Sequence, residues 1–295
     1  MTDQLSSATA IARDLIRCPS VTPAEGGALV TLETLLKASG FRVERIVFAD
    51  EDTPDVENLF ASIGSGRPHF VFAGHTDVVP PGNEGDWAHG PFEGTIADGV
   101  LYGRGAVDMK GGIASFAAAA LDFVKERGTN FGGTISFLIT GDEEGPAVNG
   151  TVKLLEWAEA NGEKFDACIV GEPTGMRVAT GHKGKTAVEA TCIGAEAHSA
   201  LAPTAVNAIH LACDLIAEVR TIQDELAANG TQDDAYDVPY TTLHAGLING
   251  GVALNIVPNA AFVKFEIRNL PADDPDAILA QLKASLEPVI ATARE

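Results

Sequence analysis

Residues 70–80 read FVFAGHTDVVP. The first half has the length and composition of a buried strand. It stops on Gly74, His75, Thr76 and Asp77, groups that a core does not accept without a reason. Two further stretches follow the same pattern. Residues 133–145 read GTISFLITGDEEG and residues 165–174 read FDACIVGEPT. Each is a short apolar run that ends in acids: Asp142, Glu143 and Glu144 in one, Glu172 in the other. Between these runs lie two helical patterns, the alanine-rich IASFAAAALDFVKERG at 113–128 and TVKLLEWAEANG at 151–162. Strands alternating with helices predict an α/β fold with a mixed sheet flanked by helices. In such open sheets, ligand sites form outside the carboxyl ends of the strands. The histidine and the acids are therefore expected to converge, although the chain spreads them over about a hundred positions.

Upstream, residues 8–17 and 26–39 have helical periodicity, the second closed by Gly40. FRVERIVF at 41–48 and NLFASIG at 58–64 read as strands. Residues 86–112 are a glycine-rich loop whose end, LYGRGAVDMKGG at 101–112, contributes Asp108. Downstream of Thr174 the pattern changes. KTAVEATCIGA (185–195) alternates with period two, residues 205–227 form a long helix, and YTTLHAGLING (240–250) and AFVKFEIRNLP (261–271) are strands. A last helix begins at Asp274-Pro275. The β-α-β-β-α order fits a small α+β, ferredoxin-like domain. The expected organisation is a metal-binding catalytic domain over residues 1–177 and a second domain over 178–295.

Composition restricts the partners. Apolar residues make up 45% of 295, enough for a core, and the formal net charge is −21. So acidic a chain repels nucleic acid and anionic membranes, and no segment resembles a membrane span. The first twenty residues read as an amphipathic helix without the basic start of a signal peptide. Cys18, Cys168, Cys192 and Cys213 show no CxxC spacing, which predicts buried thiols in a reducing compartment. The expected location is the cytoplasm.

Carboxylates gathered at one rim repel one another and raise each other's pKa values. Divalent cations remove that cost. One imidazole with several carboxylates suits Zn²⁺ and accepts Co²⁺ or Mn²⁺. In this reading His75 is a ligand and Asp77, two residues on, receives its other ring N–H. Of the adjacent Glu143 and Glu144, one ligates while the other serves as general base toward an attacking water. Asp108 can bridge two ions.

GHTDVVP, GRGAVDMKGG, DEEG and GEPT together resemble the family of zinc amide hydrolases that includes succinyl-diaminopimelate desuccinylase, acetylornithine deacetylase, aminoacylase and carboxypeptidase G2-like enzymes. The resemblance implies His75, Asp108, Glu144 and Glu172 as metal ligands, Asp108 as the bridge, Glu143 as the base and Asp77 as the partner of His75. It implies two Zn²⁺ per subunit, replaceable by Co²⁺, and a small N-acylated amino acid as substrate. The second domain resembles the family's lid, which also forms a homodimer. Within it GAEAHSALAP supplies His198, which by resemblance reaches the partner's active site to stabilise the oxyanion. LNIVPNAAFVKFEIR supplies Asn255 and Arg268 to substrate binding, Arg268 as a clamp for a carboxylate.

The resemblance is divided. Residues 1–174 are most similar to succinyl-diaminopimelate desuccinylase, and the lid is more similar to acetylornithine deacetylase. The first substrate is therefore N-succinyl-LL-2,6-diaminopimelate, with N2-acetyl-L-ornithine as the alternative. Family members return after the lid to the catalytic domain, bringing a last histidine ligand. A chain of this length is thus expected to have an incomplete second metal site and weak turnover. From a different class comes the alternative of a non-catalytic, metal-binding, dimerising module.

Overall fold

The computed structural model describes residues 6–294. The chain divides into two compact units, one ending at Val178 and the next beginning at Ala179.

The first unit opens with helices α1 (Ser7–Ile16) and α2 (Ala28–Ala38). Ser6 caps α1 by accepting the Thr9 N–H. Strands β1 (Arg42–Asp50), β2 (Thr53–Gly64) and β3 (His69–His75) follow. The glycine-rich segment contains a short hairpin, β4 (Thr95–Ala97) with β5 (Val100–Tyr102). This hairpin replaces the loop expected there; three-residue strands are too short to leave a periodic signal. Helix α3 (Gly111–Arg127), strand β6 (Thr134–Thr140), helix α4 (Thr151–Ala160) and strand β7 (Ala167–Val170) complete the unit.

The sheet order is β1-β2-β6-β3-β7. β1, β2 and β6 pair antiparallel, whereas β6, β3 and β7 run parallel. The two faces are covered unequally. Phe72, Phe137, Ile139, Leu59 and Ala61 point to a large core built with α1, α2 and α3. Val71 and Leu138, one residue out of phase, point to α4 and Leu154. This is the period-two alternation of strands covered on both sides. Phe137 lies edge-on to both Phe41 and Phe116, a geometry that adds to the apolar burial.

The opposite rim from His75 carries a polar triad, two of whose members, His69 and Ser136, are buried. His69, at the start of β3, holds Ser136 Oγ at 2.6 Å through Nε2, and Glu163 lies 3.7 Å from Nδ1.

The second unit has strand β8 (Thr186–Ile193), a two-residue strand β9 (Ala197–His198), helix α5 (Ala208–Asn229), strands β10 (Thr242–Gly250), β11 (Ile256–Val257) and β12 (Ala260–Arg268), and helix α6 (Pro275–Arg294). β10, β12 and β8 form an antiparallel sheet, and β9 pairs with β11 in a separate ribbon. Ala261, Val263, Phe265 and Ile267 of β12 are buried in one core with Ala212, Leu215 and Val219 of α5 and Leu282 of α6. Among the described residues the unit is thus α+β, with three strands in its main sheet.

The cysteines depart from expectation. All four are free thiols, and none is fully buried; Cys168 and Cys213 are exposed. Cys168 sits on β7, which pairs on one side only among the described residues, so its apolar run is not enclosed.

Burial holds His69 below its ordinary value near 6.5, against the pull of Glu163. The unfolded chain therefore binds a proton that the fold excludes. This contribution is complete above the ordinary value and is lost as pH falls through it toward the lower folded value. Denaturant titrations at about pH 7.5 and 5.5 should show a larger acid loss for the native chain than for His69→Gln. Equal losses would refute the neutral, buried imidazole.

Candidate active site

His75 ends β3, the strand held between β6 and β7. Since these three are parallel, their carboxyl ends share one rim. The turn after β6 brings Glu143 and Glu144 there, the turn after β7 brings Glu172, and the loop before α3 brings Asp108. His75 Nε2 lies 3.0 Å from Asp108 Oδ1, 3.6 Å from Glu172 Oε1 and 3.8 Å from Glu143 Oε2. Donor atoms of His75, Asp108 and Glu144 lie within 4.8 Å of one another.

The imidazole is buried while the acids face outward. His75 is 1% exposed, and the Asp108 and Glu143 side chains are each 51% exposed. The backbone N–H of His75 donates to Met109 Sδ at 3.3 Å. A Cβ on Gly74 would stand 2.5 Å from the Met109 methyl, so the absence of a side chain here lets Met109, next to Asp108, pack closely on β3.

Asp77 does more than expected. The ring N–H of His75 at Nδ1 meets the Asp77 backbone carbonyl at 2.9 Å, with the carboxylate at 3.5 Å. That carboxylate accepts the backbone N–H groups of Glu143 (3.1 Å) and Glu144 (2.9 Å). It thus ties the histidine strand to the acidic turn. Asp142, grouped by sequence with its acidic neighbours, does not join the cluster. It is 2% exposed, and its carboxylate accepts backbone N–H groups of its own loop, from Ala147 and Asn149.

Lys110 escaped the sequence reading. It is fully buried and donates from Nζ to the Cys18 carbonyl at 2.8 Å. Ser20 Oγ donates to the Thr76 carbonyl at 2.6 Å, and Val78 N–H donates to the Ser20 carbonyl at 2.9 Å. The Cys18–Ser20 turn therefore braces the loop after His75 from below. The available signal was a lysine directly ahead of an apolar helix, where a cation has no surface to reach.

Electrostatics follow from crowding. Burial opposes the charged form of His75, but Asp77 and Glu172 outweigh it and lift the imidazole to about 9. Burial raises Glu144, and Asp108 and Glu143 add to the rise. Burial also raises Glu172; His75 pulls it down, and Asp108 and Glu143 push it up. A site that pushes protons onto its own acids is short of positive charge, and one nitrogen with several oxygens is a donor set that suits a divalent ion such as zinc.

In the second unit, His198 is exposed and its Nδ1 accepts the Ala200 N–H at 3.2 Å. A neutral ring so held carries its proton on Nε2 and offers a donor. Asn255 is close by, its carbonyl accepting the Ser199 N–H at 3.0 Å on the β9/β11 ribbon. Arg268 is not with them. It closes the other end of β12, eight residues beyond Ala260, or roughly 26 Å of strand. There its Nε donates to Glu266 at 3.0 Å, and it lines a cleft of about 330 Å³ with His182, Lys183 and Tyr236.

A mixed sheet whose parallel strands all end on a rim that could hold a metal ion, joined to a separate α+β unit, agrees with a metal-dependent hydrolase. The class narrows on comparison. Residues 71–285 match the pattern of peptidase family M20/M25/M40, and the chain belongs to that family. It is 49% identical over 296 residues to succinyl-diaminopimelate desuccinylase of Methylorubrum populi, covering 97% of this chain and 73% of that protein. The enzyme of the same name from Methylorubrum extorquens is 48% identical, covering 95% and 73%. These matches run through both units. Among solved structures, an M20 family metallo-carboxypeptidase of Sulfolobus solfataricus superposes with a TM-score of 0.72 at 21% identity, covering 96% of this chain and 76% of that one. A dipeptidase of Saccharomyces cerevisiae gives 0.68 at 18%, covering 93% and 72%. Both share the fold. No described helix is long and apolar enough to cross a membrane.

Because His75 titrates near 9, an ion that binds its nitrogen below that pH must displace a proton. Zinc titration calorimetry near pH 7, repeated in buffers of different ionisation enthalpy, should report release of about one proton or more per ion. Heats independent of buffer would remove His75 from the ligand set.

Proposed function

We propose that the chain hydrolyses the amide bond of N-succinyl-LL-2,6-diaminopimelate to succinate and LL-2,6-diaminopimelate. The observation that carries this reading is the 49% identity to a succinyl-diaminopimelate desuccinylase along 97% of the chain. It is supported by the gathering of His75, Asp108, Glu143, Glu144 and Glu172 at one rim.

In this reading His75, Asp108, Glu144 and Glu172 would hold zinc, Asp108 as the shared ligand, and cobalt could replace it. The metal, when bound, would supply Lewis-acid polarisation of the amide carbonyl and a more acidic water. Glu143 stays free as general base. It takes the proton of the water and returns it to the leaving amine. Asp77 keeps both reacting groups in register, holding the His75 ring by its carbonyl and the Glu143 backbone by its carboxylate. His198 Nε2–H stabilises the oxyanion of the tetrahedral intermediate. Asn255 and Arg268 bind substrate, Arg268 taking a carboxylate through its planar fork.

The separation inside the second unit favours a homodimer. His198 and Asn255 lie at one end of β12 and Arg268 at the other, too far apart for one copy to bring all three to one small substrate. Two copies joined through residues 179–295 remove the conflict, one giving Arg268 and its partner giving His198 and Asn255. A cytoplasmic location agrees with four unpaired thiols.

Incubation with the succinyl substrate and with N2-acetyl-L-ornithine, in the presence of Zn²⁺, tests the acyl preference. Succinate should be released and acetate should not. Glu143→Gln should lower whatever rate is found by at least about 100-fold while leaving bound zinc unchanged. Acetate release in excess of succinate would replace the substrate; an unaffected Glu143→Gln would remove the base.

A further inference from the structure

Asp142 is a buried acid that the proposed chemistry does not use. Its carboxylate does not reach the rim, yet it is fully engaged. Oδ1 accepts the Ala147 N–H at 3.2 Å and Oδ2 accepts the Asn149 N–H at 2.8 Å. Its own N–H donates to Thr140 Oγ1 at 3.1 Å. The turn therefore closes around this one side chain. Ala147 has φ of 59°, a left-handed conformation that costs a residue with a Cβ and persists only where surroundings impose it. A Cβ on Gly145 would fall 2.5 Å from Asp142 Oδ1, so the chain passes as near to the carboxylate as glycine allows.

The closed turn is anchored in turn. Asn149 is fully buried, and its Nδ2 donates to Thr53 Oγ1 and to the Pro54 carbonyl, both at 2.9 Å. Its backbone carbonyl accepts Asn58 Nδ2 at 2.9 Å, and Asn58 is also fully buried. A rigid connection thus runs from β2 through Asn58, Asn149 and Asp142 to residues 143 and 144. At the other side, Asp77 receives the N–H groups of these same two residues. Asp77 fixes where the glutamate backbones stand. Asp142 fixes the shape of the loop that presents them.

We propose that Asp142 is the positioning residue of the acidic turn, holding residues 142–149 closed so that Glu143 and Glu144 face His75 and Asp108. This rests on the reading of Glu144 as a ligand and Glu143 as the base. Each carboxylate oxygen accepts one N–H, and an amide side chain has only one oxygen to offer.

The test uses the full chain and cobalt alone as the probe. Co²⁺ affinity, followed by visible absorption, should fall about 10–100-fold in Asp142→Ala. Asp142→Asn keeps one accepting oxygen and should fall less; it also serves if the alanine variant does not fold. Ile63→Ala, at the far end of the same sheet, destabilises the core without touching the turn and should bind Co²⁺ as the native chain does. Amide hydrogen exchange gives a second readout. Glu143, Glu144, Ala147 and Asn149 should all exchange at least about tenfold faster when Asp142 is replaced. Faster exchange at Ala147 and Asn149 alone, with unchanged Co²⁺ affinity, overturns the proposal. Should the native chain bind no Co²⁺, the metal reading fails by itself, and the exchange rates at Glu143 and Glu144 still decide the role of Asp142.

Discussion

Four carboxylates stand around one buried imidazole, with Asp108, Glu172 and Glu143 between 3.0 and 3.8 Å from its Nε2. At such spacing like charges in a partly desolvated site cannot all remain ionised without a compensating cation. The protein meets this in two ways at once. It raises the proton affinity of His75 and of the more enclosed acids, and it presents a donor set that a divalent ion can satisfy. The rest of the first unit can be understood as what is needed to keep this repulsive group together.

That work is done by buried polar groups rather than by the rim. Asp77 contributes its carbonyl to His75 and its carboxylate to two amides of the acidic turn. Lys110, with no exposed surface, fastens the Cys18–Ser20 turn under the strand end. Asp142 closes the turn from inside. Each of these would be costly to bury without a partner. Each has partners, and apart from the His75 ring and the Thr140 hydroxyl these are backbone atoms of segments bordering the rim. Ligand placement therefore depends on backbone geometry, which side-chain mobility at the exposed acids does not disturb.

The second unit solves a different problem. Its sheet buries every other residue of β12 against α5 and α6, which leaves Phe262, Lys264, Glu266 and Arg268 on the other face. A net charge of −21 works against an anionic substrate. Placing Arg268 beside His182 and Lys183 in one cleft creates a local exception. The exposed His198 ring, whose Nδ1 accepts the Ala200 N–H, lies at the opposite end of β12.

Local sequence carried the elements and the chemistry. Apolar runs of strand length fixed β3, β6 and β7, helical spacing fixed α3 and α4, and the residues after each strand identified the acids and the histidine. Near neighbours along the chain encode these features, so they can be read without coordinates. The order β6-β3-β7 could not be read, because pairing is decided by packing between residues far apart in sequence; that order places His75 between the two acidic turns. Nor could the sequence separate Asp142 from Glu143 and Glu144. Three adjacent acids look alike until the turn directs one inward and two outward, and that choice belongs to Asn58, Asn149 and Asp77, which only folding brings near.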